Sequence, residues 1–468
     1  MNIPSIKDTI AAIATPRGVG AIAILRMTGD RSEAILEEFF KGTKSLSAAP
    51  PNTIIPGYLF RTREKKETLD RVIVLKFKAP HSYTGEDIYE IHCHGGLCVV
   101  QEALSLLVEN GARIAEPGEF TRRAFLNGKM DLIQAEAVAE IINAQTRESL
   151  KLSFSQHSGI LSEELKALKN ALIRQCSLLE IELDFSTEDI EFADRREIEK
   201  EVDETILEVK RLIQSYKYGR ILREGVHAVI AGRPNVGKSS ILNRLLEEDR
   251  AIVTEVPGTT RDSIEESLDI DGILFKITDT AGLRETADKV EKMGVQRTMR
   301  LLENADIVLF VIDSSKELNE DDLNLFKNID AINTAQETQY IIACNKSDLA
   351  EKIDMTVLQQ RFPSNNALKI SAKTGDGFYD LKKRMKESIF GEGYDSNGIF
   401  VSKLRHKKEL EKAKECLENA RESLANNLSP EFISLDVRGA LNHLGEITGE
   451  VTSQDILTEI FSSFCIGK

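Results

Sequence analysis

The stretch Gly232-Arg-Pro-Asn-Val-Gly237-Lys238-Ser239 lies between a short β-rich run, 226–231, and residues with helical spacing. A glycine-bearing turn between a strand and a helix is a phosphate cradle. Its glycines let backbone N–H groups approach an anion at the helix start, Lys238 adds a point charge, and the Ser239 hydroxyl suits Mg²⁺. Outward from this turn, the β-rich runs 274–278, 307–312 and 340–344 read as further strands, each followed by a loop that carries chemistry. Strands alternating with helices in this way predict a parallel-sheet α/β domain.

Three of those loops complete a nucleotide site. Asp279-Thr280-Ala281-Gly282 supplies a carboxylate for a Mg²⁺ shell and a glycine N–H for a γ-phosphate. Asn345-Lys346-Ser-Asp348 supplies an acceptor for the N1–H and 2-amino group of guanine, which adenine cannot match. Ser371-Ala372-Lys373 suits a backbone contact to the guanine O6, so the set specifies GTP over ATP. Thr259 and Thr260, in Pro257-Gly-Thr-Thr-Arg-Asp262, stand where a switch threonine closes over Mg²⁺ and phosphate. Leu283 occupies the place of the glutamine that orients water in Ras-like proteins. Another group must do that work, and Glu285, Asp288 and Glu291 are the acidic candidates nearby.

The rest of the chain frames this domain. At 468 residues it is long enough for several domains of about 100–200 residues each. The longest apolar run, 307–312, ends at Asp313 and is too short to cross a bilayer. With no secretory signal at the start, the expectation is a cytoplasmic protein without a membrane segment. Six cysteines without a Cys-x-x-Cys pair do not make a disulfide framework. A net charge of −15 disfavours broad attachment to nucleic acid, so any RNA contact must be local, with basic clusters at 61–66, 122–123 and 403–408. Residues 11–123 hold short β-rich runs, such as 21–25 and 72–77, between Pro- and Gly-bearing turns, which predicts an α+β domain. Between Pro117 and Pro234 there is no proline, and Leu161, Leu165, Leu168 and Leu172 recur at helical spacing. That stretch predicts long helices, and helical periodicity returns after about residue 380, so the α/β domain is inserted into a helical one.

The flanks carry a more specific signal than the P-loop. Phe464-Cys465-Ile-Gly-Lys468, Pro117-Gly-Glu-Phe-Thr-Arg-Arg-Ala-Phe-Leu-Asn-Gly-Lys129, Tyr83-Thr-Gly-Glu-Asp-Ile-Tyr-Glu90 and His94-Gly-Gly96 resemble the signatures of the MnmE (TrmE) family of tRNA-modification GTPases. The resemblance covers the whole chain. The P-loop and Pro257-Gly-Thr-Thr-Arg-Asp262 are shared with Era- and Der-like GTPases and alone identify only the wider class. The family implies a multidomain α/β and α+β fold. Its parts would be a dimerisation and folate-binding domain at 1–124, a helical domain at 125–222 and 386–468, and an inserted Ras-like G domain at 223–385.

It also implies site residues. Arg26, Glu90, Lys129 and Lys468 match positions that hold 5-formyl- or 5,10-methylene-tetrahydrofolate. GTP contacts would come from Asn235, Val236, Gly237, Lys238, Ser239 and Ser240, from Thr254, Glu255, Val256, Pro257, Gly258, Thr259 and Thr260, and from the three later loops. Ser239 and Thr260 would bind Mg²⁺, while Asn235, Thr254, Val256 and Thr259 would bind K⁺, and Glu291 matches the water-orienting carboxylate. The implied assembly is a homodimer that joins MnmG (GidA), which brings FAD. Together they would add an aminomethyl or carboxymethylaminomethyl group to C5 of wobble uridine 34 in tRNA. Cys465 reads either as a nucleophile or acid/base group near the folate or as an inert thiol. His92, Cys93 and His94 alternate across a strand and do not form a metal set. Two other classes stay open: an Era/Der-like ribosome-assembly GTPase, and a folate-dependent one-carbon transferase regulated by GTP.

Overall fold

A computed structural model describes residues 8–184, 195–249, 265–279, 301–327, 338–353, 358, 367–391 and 398–468. The chain divides into two compact units, one of Met1–Ala139, Gln156–Ile206 and Lys412–Lys468, the other of Glu140–Ser155 and Leu207–Glu411.

The first unit is built on a seven-stranded sheet: β1 (Ile10–Ile13), β2 (Ile22–Thr28), β3 (Phe40–Gly42), β4 (Thr53–Phe60), β5 (Thr68–Phe77), β6 (Ile88–His94) and β7 (Arg113–Ile114). Its order is β3-β4-β5-β6-β2-β1-β7, antiparallel except where β7 runs parallel to β1. Because side chains alternate along a strand, Ala23, Leu25 and Met27 of β2 and Tyr89, Ile91 and Cys93 of β6 share one buried face. Helices α1 (Ser32–Phe39) and α2 (Leu97–Glu109) cover that face with Ile35, Leu36, Val100, Ala103 and Leu107. The same alternation puts Arg26, Glu90 and His92 on the other face, and the register sets Arg26 opposite Glu90. Helix α3 (Glu119–Leu126) closes part of that second face, where Phe120 packs on Ile10, Ala12 and Ala115.

The proline-free stretch forms helices α4 (Leu132–Asn143), α5 (Arg147–His157), α6 (Ile160–Asp184) and α7 (Arg195–Glu224), as its periodicity predicts. After α7 the second unit's six-stranded sheet begins: β8 (Val226–Ala231), β9 (Glu265–Ile270), β10 (Ile273–Asp279), β11 (Ile307–Asp313), β12 (Gln339–Asn345) and β13 (Ala367–Lys369). The order is β13-β12-β11-β8-β10-β9, parallel except for the β9–β10 hairpin. Every residue of β11 is buried, as a central parallel strand requires. Burial of each large apolar side chain there stabilises by about 1.5–3 kcal/mol. Helices α8 (Lys238–Asp249) and α9 (Phe378–Phe390) pack Ile241, Leu245, Phe378, Leu381 and Met385 against one face. Parallel pairing aligns the carboxyl ends of β8, β10, β11 and β12 on one edge, where ligands bind in open α/β sheets.

The chain then returns to the first unit through α10 (Leu404–Ala425), α11 (Pro430–Thr448) and α12 (Gln454–Ser462). Helix α11 packs antiparallel on α6, with Arg438 pairing Glu180 and, just past the end of α11, Glu450 pairing Lys169. Leu457, Phe461 and Phe464 pack on Leu132 and Ala135 of α4, which aims the last residues back at the first sheet. One expected basic cluster is corrected. Arg123 is 2% exposed and tied to Asp8, Glu86 and Glu119, so its charge is spent inside the fold. Among the described residues no helix is long and apolar enough to cross a membrane.

Candidate functional site

The P-loop is held in shape by the loops that follow β11 and β12. Gly237 has φ +98°, and a Cβ there would stand 2.2 Å from the Asn345 Nδ2 atom, so only glycine admits that amide. Asn345 is buried and uses both ends of its side chain. Its Nδ2 donates to the Val236 carbonyl at 2.8 Å, and its Oδ1 accepts from the Ala372 N–H at 3.0 Å. Lys346 donates to the Asn235 carbonyl at 3.0 Å and to Asp313 Oδ2 at 2.6 Å. Two successive residues, Asn345 and Lys346, thus grip two successive carbonyls of the 232–239 turn. Asp348 Oδ1 accepts from the buried Ser371 hydroxyl at 2.7 Å, which fixes the carboxylate that would read the base edge.

The start of α8 is equally defined. Lys238 donates to the carbonyls of Gly232 and Arg233, both at 2.9 Å, while Arg233 Nε donates to the buried Asp322 at 2.6 Å. Ser239 Oγ donates to Asp279 Oδ2 at 2.8 Å. A hydroxyl and a carboxylate meeting at the start of a helix are the hard oxygen ligands that Mg²⁺ takes. Burial pushes the Asp313 carboxyl up, but hydrogen bonds from Lys346 and Ser315 hold it below the usual carboxylate range. Ser240 and Lys373 are exposed beside these groups. Thr254, Glu255, Val256, Pro257, Gly258, Thr259, Thr260, Thr280, Ala281, Gly282 and Glu291 lie outside the described residues.

A second constellation forms on the open face of the first sheet. Arg26 donates through Nε to Glu90 Oε1 at 2.9 Å and approaches the same oxygen through Nη2 at 2.8 Å. Its guanidinium lies 5.6 Å from the ring centre of Tyr83 and 5.7 Å from that of Phe120. The C-terminal residues reach this pair. Gly118 N–H donates to the Cys465 carbonyl at 3.4 Å, Phe120 N–H to the Lys468 carbonyl at 3.2 Å, and Arg26 to the Gly467 carbonyl at 3.4 Å. Gly467 has φ +96°, and a Cβ there would come within 2.5 Å of the Ile13 carbonyl, so the tail can lie this close only as glycine. Burial and the nearby Arg26 charge lower the Lys468 pKa, against the opposite pull of Glu90 and Cys465. Arg26, Glu90 and Lys468 are therefore gathered in one place. Lys129 is not brought onto them by any contact among the described residues, and donates instead to the Pro80 carbonyl at 2.9 Å. Cys465 is exposed and docks through its backbone.

Two family models match. One, the MnmE helical domain, covers residues 132–465, and the other, the GTP-binding protein TrmE N-terminus, covers 9–129. The chain belongs to the MnmE family. It is 41% identical over 463 residues to the tRNA modification GTPase MnmE of Natranaerobius thermophilus, covering 99% of this chain and 100% of that protein. To the tRNA modification GTPase MnmE of Aquifex aeolicus it is 42% identical over 463 residues, with the same two coverages of 99% and 100%. Among solved structures it is similar to the G domain of the T. maritima FeoB iron transporter, 28% identical over 35% of this chain and 98% of that one, with a TM-score of 0.27. Full-length agreement with MnmE proteins decides against the Era- or Der-like alternative, which shares only the G-domain motifs.

Some residues around the MnmE positions do not stand out in the sequence. Tyr83 and Phe120 flank Arg26, and both lie inside the family motifs, so the signal was present. In sequence Asp313 marks only the end of an apolar run. Asp322 lies in no motif.

Proposed function

We propose that this MnmE-family chain is a GTP hydrolase that acts in tRNA modification. Specifically, it would work as a homodimer with MnmG to modify C5 of the wobble uridine from a tetrahydrofolate one-carbon donor. The observation that carries the GTPase reading is the buried Asn345 amide. It joins the phosphate loop at Val236 to the guanine loop at Ala372, beside an Asp348 already oriented by Ser371. A site so connected reads guanine and phosphate together.

The chain's own residues divide the work. Backbone N–H groups of 235–240 and the Lys238 ammonium take the phosphates, the ammonium exchanging its Gly232 and Arg233 carbonyls for phosphate oxygens. Asp348 accepts from the guanine N1–H and 2-amino group. Ser239 and Asp279, with Thr260, would hold Mg²⁺, and Asn235, Thr254, Val256 and Thr259 a K⁺; when bound, these cations supply positive charge against the charge developing on the phosphates. Glu291 orients the attacking water in place of the glutamine that Leu283 replaces.

The Arg26 cluster fits a folate. Arg26 and Glu90 are 17% and 15% exposed, and the buried His92 Nε2 atom, 3.6 Å from Glu90 Oε2, has no hydrogen-bond partner among the described residues. A ligand with an amino-pyrimidine edge would satisfy such a half-used carboxylate and ring nitrogen, and Lys129 and Lys468 would meet its carbonyl or carboxylate groups. The discriminating experiment is GTP turnover at equal ionic strength in KCl and NaCl. Turnover much faster in KCl, lost in Asn235→Ala while GDP still binds, is the expected result. Equal rates in the two salts, with Glu291→Ala as fast as the parent, would refute the cation-and-carboxylate mechanism.

A further inference from the structure

Asn235 and Lys346 are both non-glycine residues in the left-handed region, with φ of +62° and +66°. Asparagine tolerates that conformation, whereas lysine adopts it seldom, and such residues persist only where their surroundings hold them. Here they are joined by one contact, from the Lys346 ammonium to the Asn235 carbonyl. What aims the ammonium is Asp313, whose side chain is 2% exposed. Both of its oxygens are engaged. Oδ2 accepts from Lys346 at 2.6 Å, and Oδ1 accepts from the Ser315 N–H at 3.1 Å and the Ser315 hydroxyl at 2.6 Å. The next residue reinforces the grip, because the Ser314 hydroxyl donates to the Asn345 carbonyl at 2.7 Å.

A carboxylate with both oxygens spent inside the protein has none to offer a nucleotide. We propose that Asp313 is a positioning residue of the nucleotide site, acting through Lys346 to hold the Asn235 turn of the phosphate loop. It deepens the GTPase reading and rests on it. Guanine binding against the 345–348 loop and cation binding at Asn235 then share one buried anchor at the end of β11. An asparagine at 313 keeps the shape but must turn an amide N–H₂ toward either the ammonium or the Ser315 N–H, so it releases one of them.

The test is a double-mutant cycle on the full-length chain. Dissociation constants for a fluorescent GDP analogue are measured for the parent, Asp313→Asn, Lys346→Met and the double variant. In the parent background Asp313→Asn should weaken GDP at least about tenfold. In the Lys346→Met background it should change the affinity by less than about twofold, because the group it acts through is gone. The K⁺ concentration for half-maximal GTP turnover should rise in both single variants. A loss of equal factor in the two backgrounds would overturn the proposal, since the carboxylate would then act on the fold and not on Lys346. So would an unchanged affinity in Asp313→Asn. Should Asp313→Asn alone fail to fold, Lys346→Met against the double variant still decides: equal affinities support the link, and a further tenfold loss refutes it. A parent that binds no GDP would instead remove the GTPase reading itself. Turnover without cation preference would remove only the K⁺ assignment.

Discussion

Replacing Asn345 by alanine tests the connection between the two loops. Asn345 is 2% exposed, and loss of its side chain leaves the Val236 carbonyl and the Ala372 N–H without the partners they have at 2.8 and 3.0 Å. Each buried group left unsatisfied costs about 1–3 kcal/mol, so the change is worth about 2–4 kcal/mol after partial relaxation. If most of that falls on the loops that close around nucleotide, GDP affinity drops by about 30- to 700-fold, since every 1.4 kcal/mol is a factor of ten. Asn345→Asp should be at least as weak, because it sets a carboxylate oxygen against the Val236 carbonyl. The assay is fluorescent-GDP titration beside thermal unfolding of the nucleotide-free chain, which separates loss of binding from loss of fold. GDP affinity within about threefold of the parent, with an unchanged melting temperature, would refute the reasoning.

Other outcomes follow from the same structure. Asp348→Asn swaps an acceptor for a donor at the base edge and should move preference from GTP toward xanthosine triphosphate, read by competition binding; full retention of GTP affinity would count against the assignment. Arg26→Ala leaves Glu90 without its partner and should weaken binding of a reduced folate by at least about tenfold in calorimetry while GTP turnover is unchanged. Around Arg123, burial raises the Glu119 carboxyl, but Arg113, the Glu116 N–H and Arg123 together hold it below its ordinary value of 4.5. A depressed carboxylate stabilises above its unfolded pKa and loses that contribution as pH falls through the folded one. Glu119→Gln should therefore lower the melting temperature at pH 7 and flatten its fall below about pH 4.

The parts legible in sequence were those set by local pattern. Strands β8, β11 and β12 are built on the apolar runs 228–231, 307–312 and 340–344 because parallel strands are covered on both faces, and the loops after them are recognised by residue type. Strand β9 gave no such signal. It is an edge strand, Glu265-Glu-Ser-Leu-Asp-Ile270, with only Leu268 and Ile270 buried. The Arg26 cluster depends on long-range register. Arg26 and Glu90 are 64 positions apart, and Arg26 and Gly467 are 441 apart, so only the resemblance could associate them. Asp313 and Asp322 act by orienting other residues, and a carboxylate that anchors a lysine or arginine through space leaves no spacing to read.

The central claim is that this GTPase serves tRNA modification, and it is tested most directly by mass analysis of the wobble nucleosides of tRNA. The tRNA is taken from cells lacking the chain and from the same cells given it back, either intact or as Asp279→Ala. The account predicts that C5-substituted wobble uridines disappear without the chain, return with the intact form and stay absent with the variant, whose Ser239 has lost its carboxylate partner. Wobble uridines unchanged by loss of the chain would contradict it.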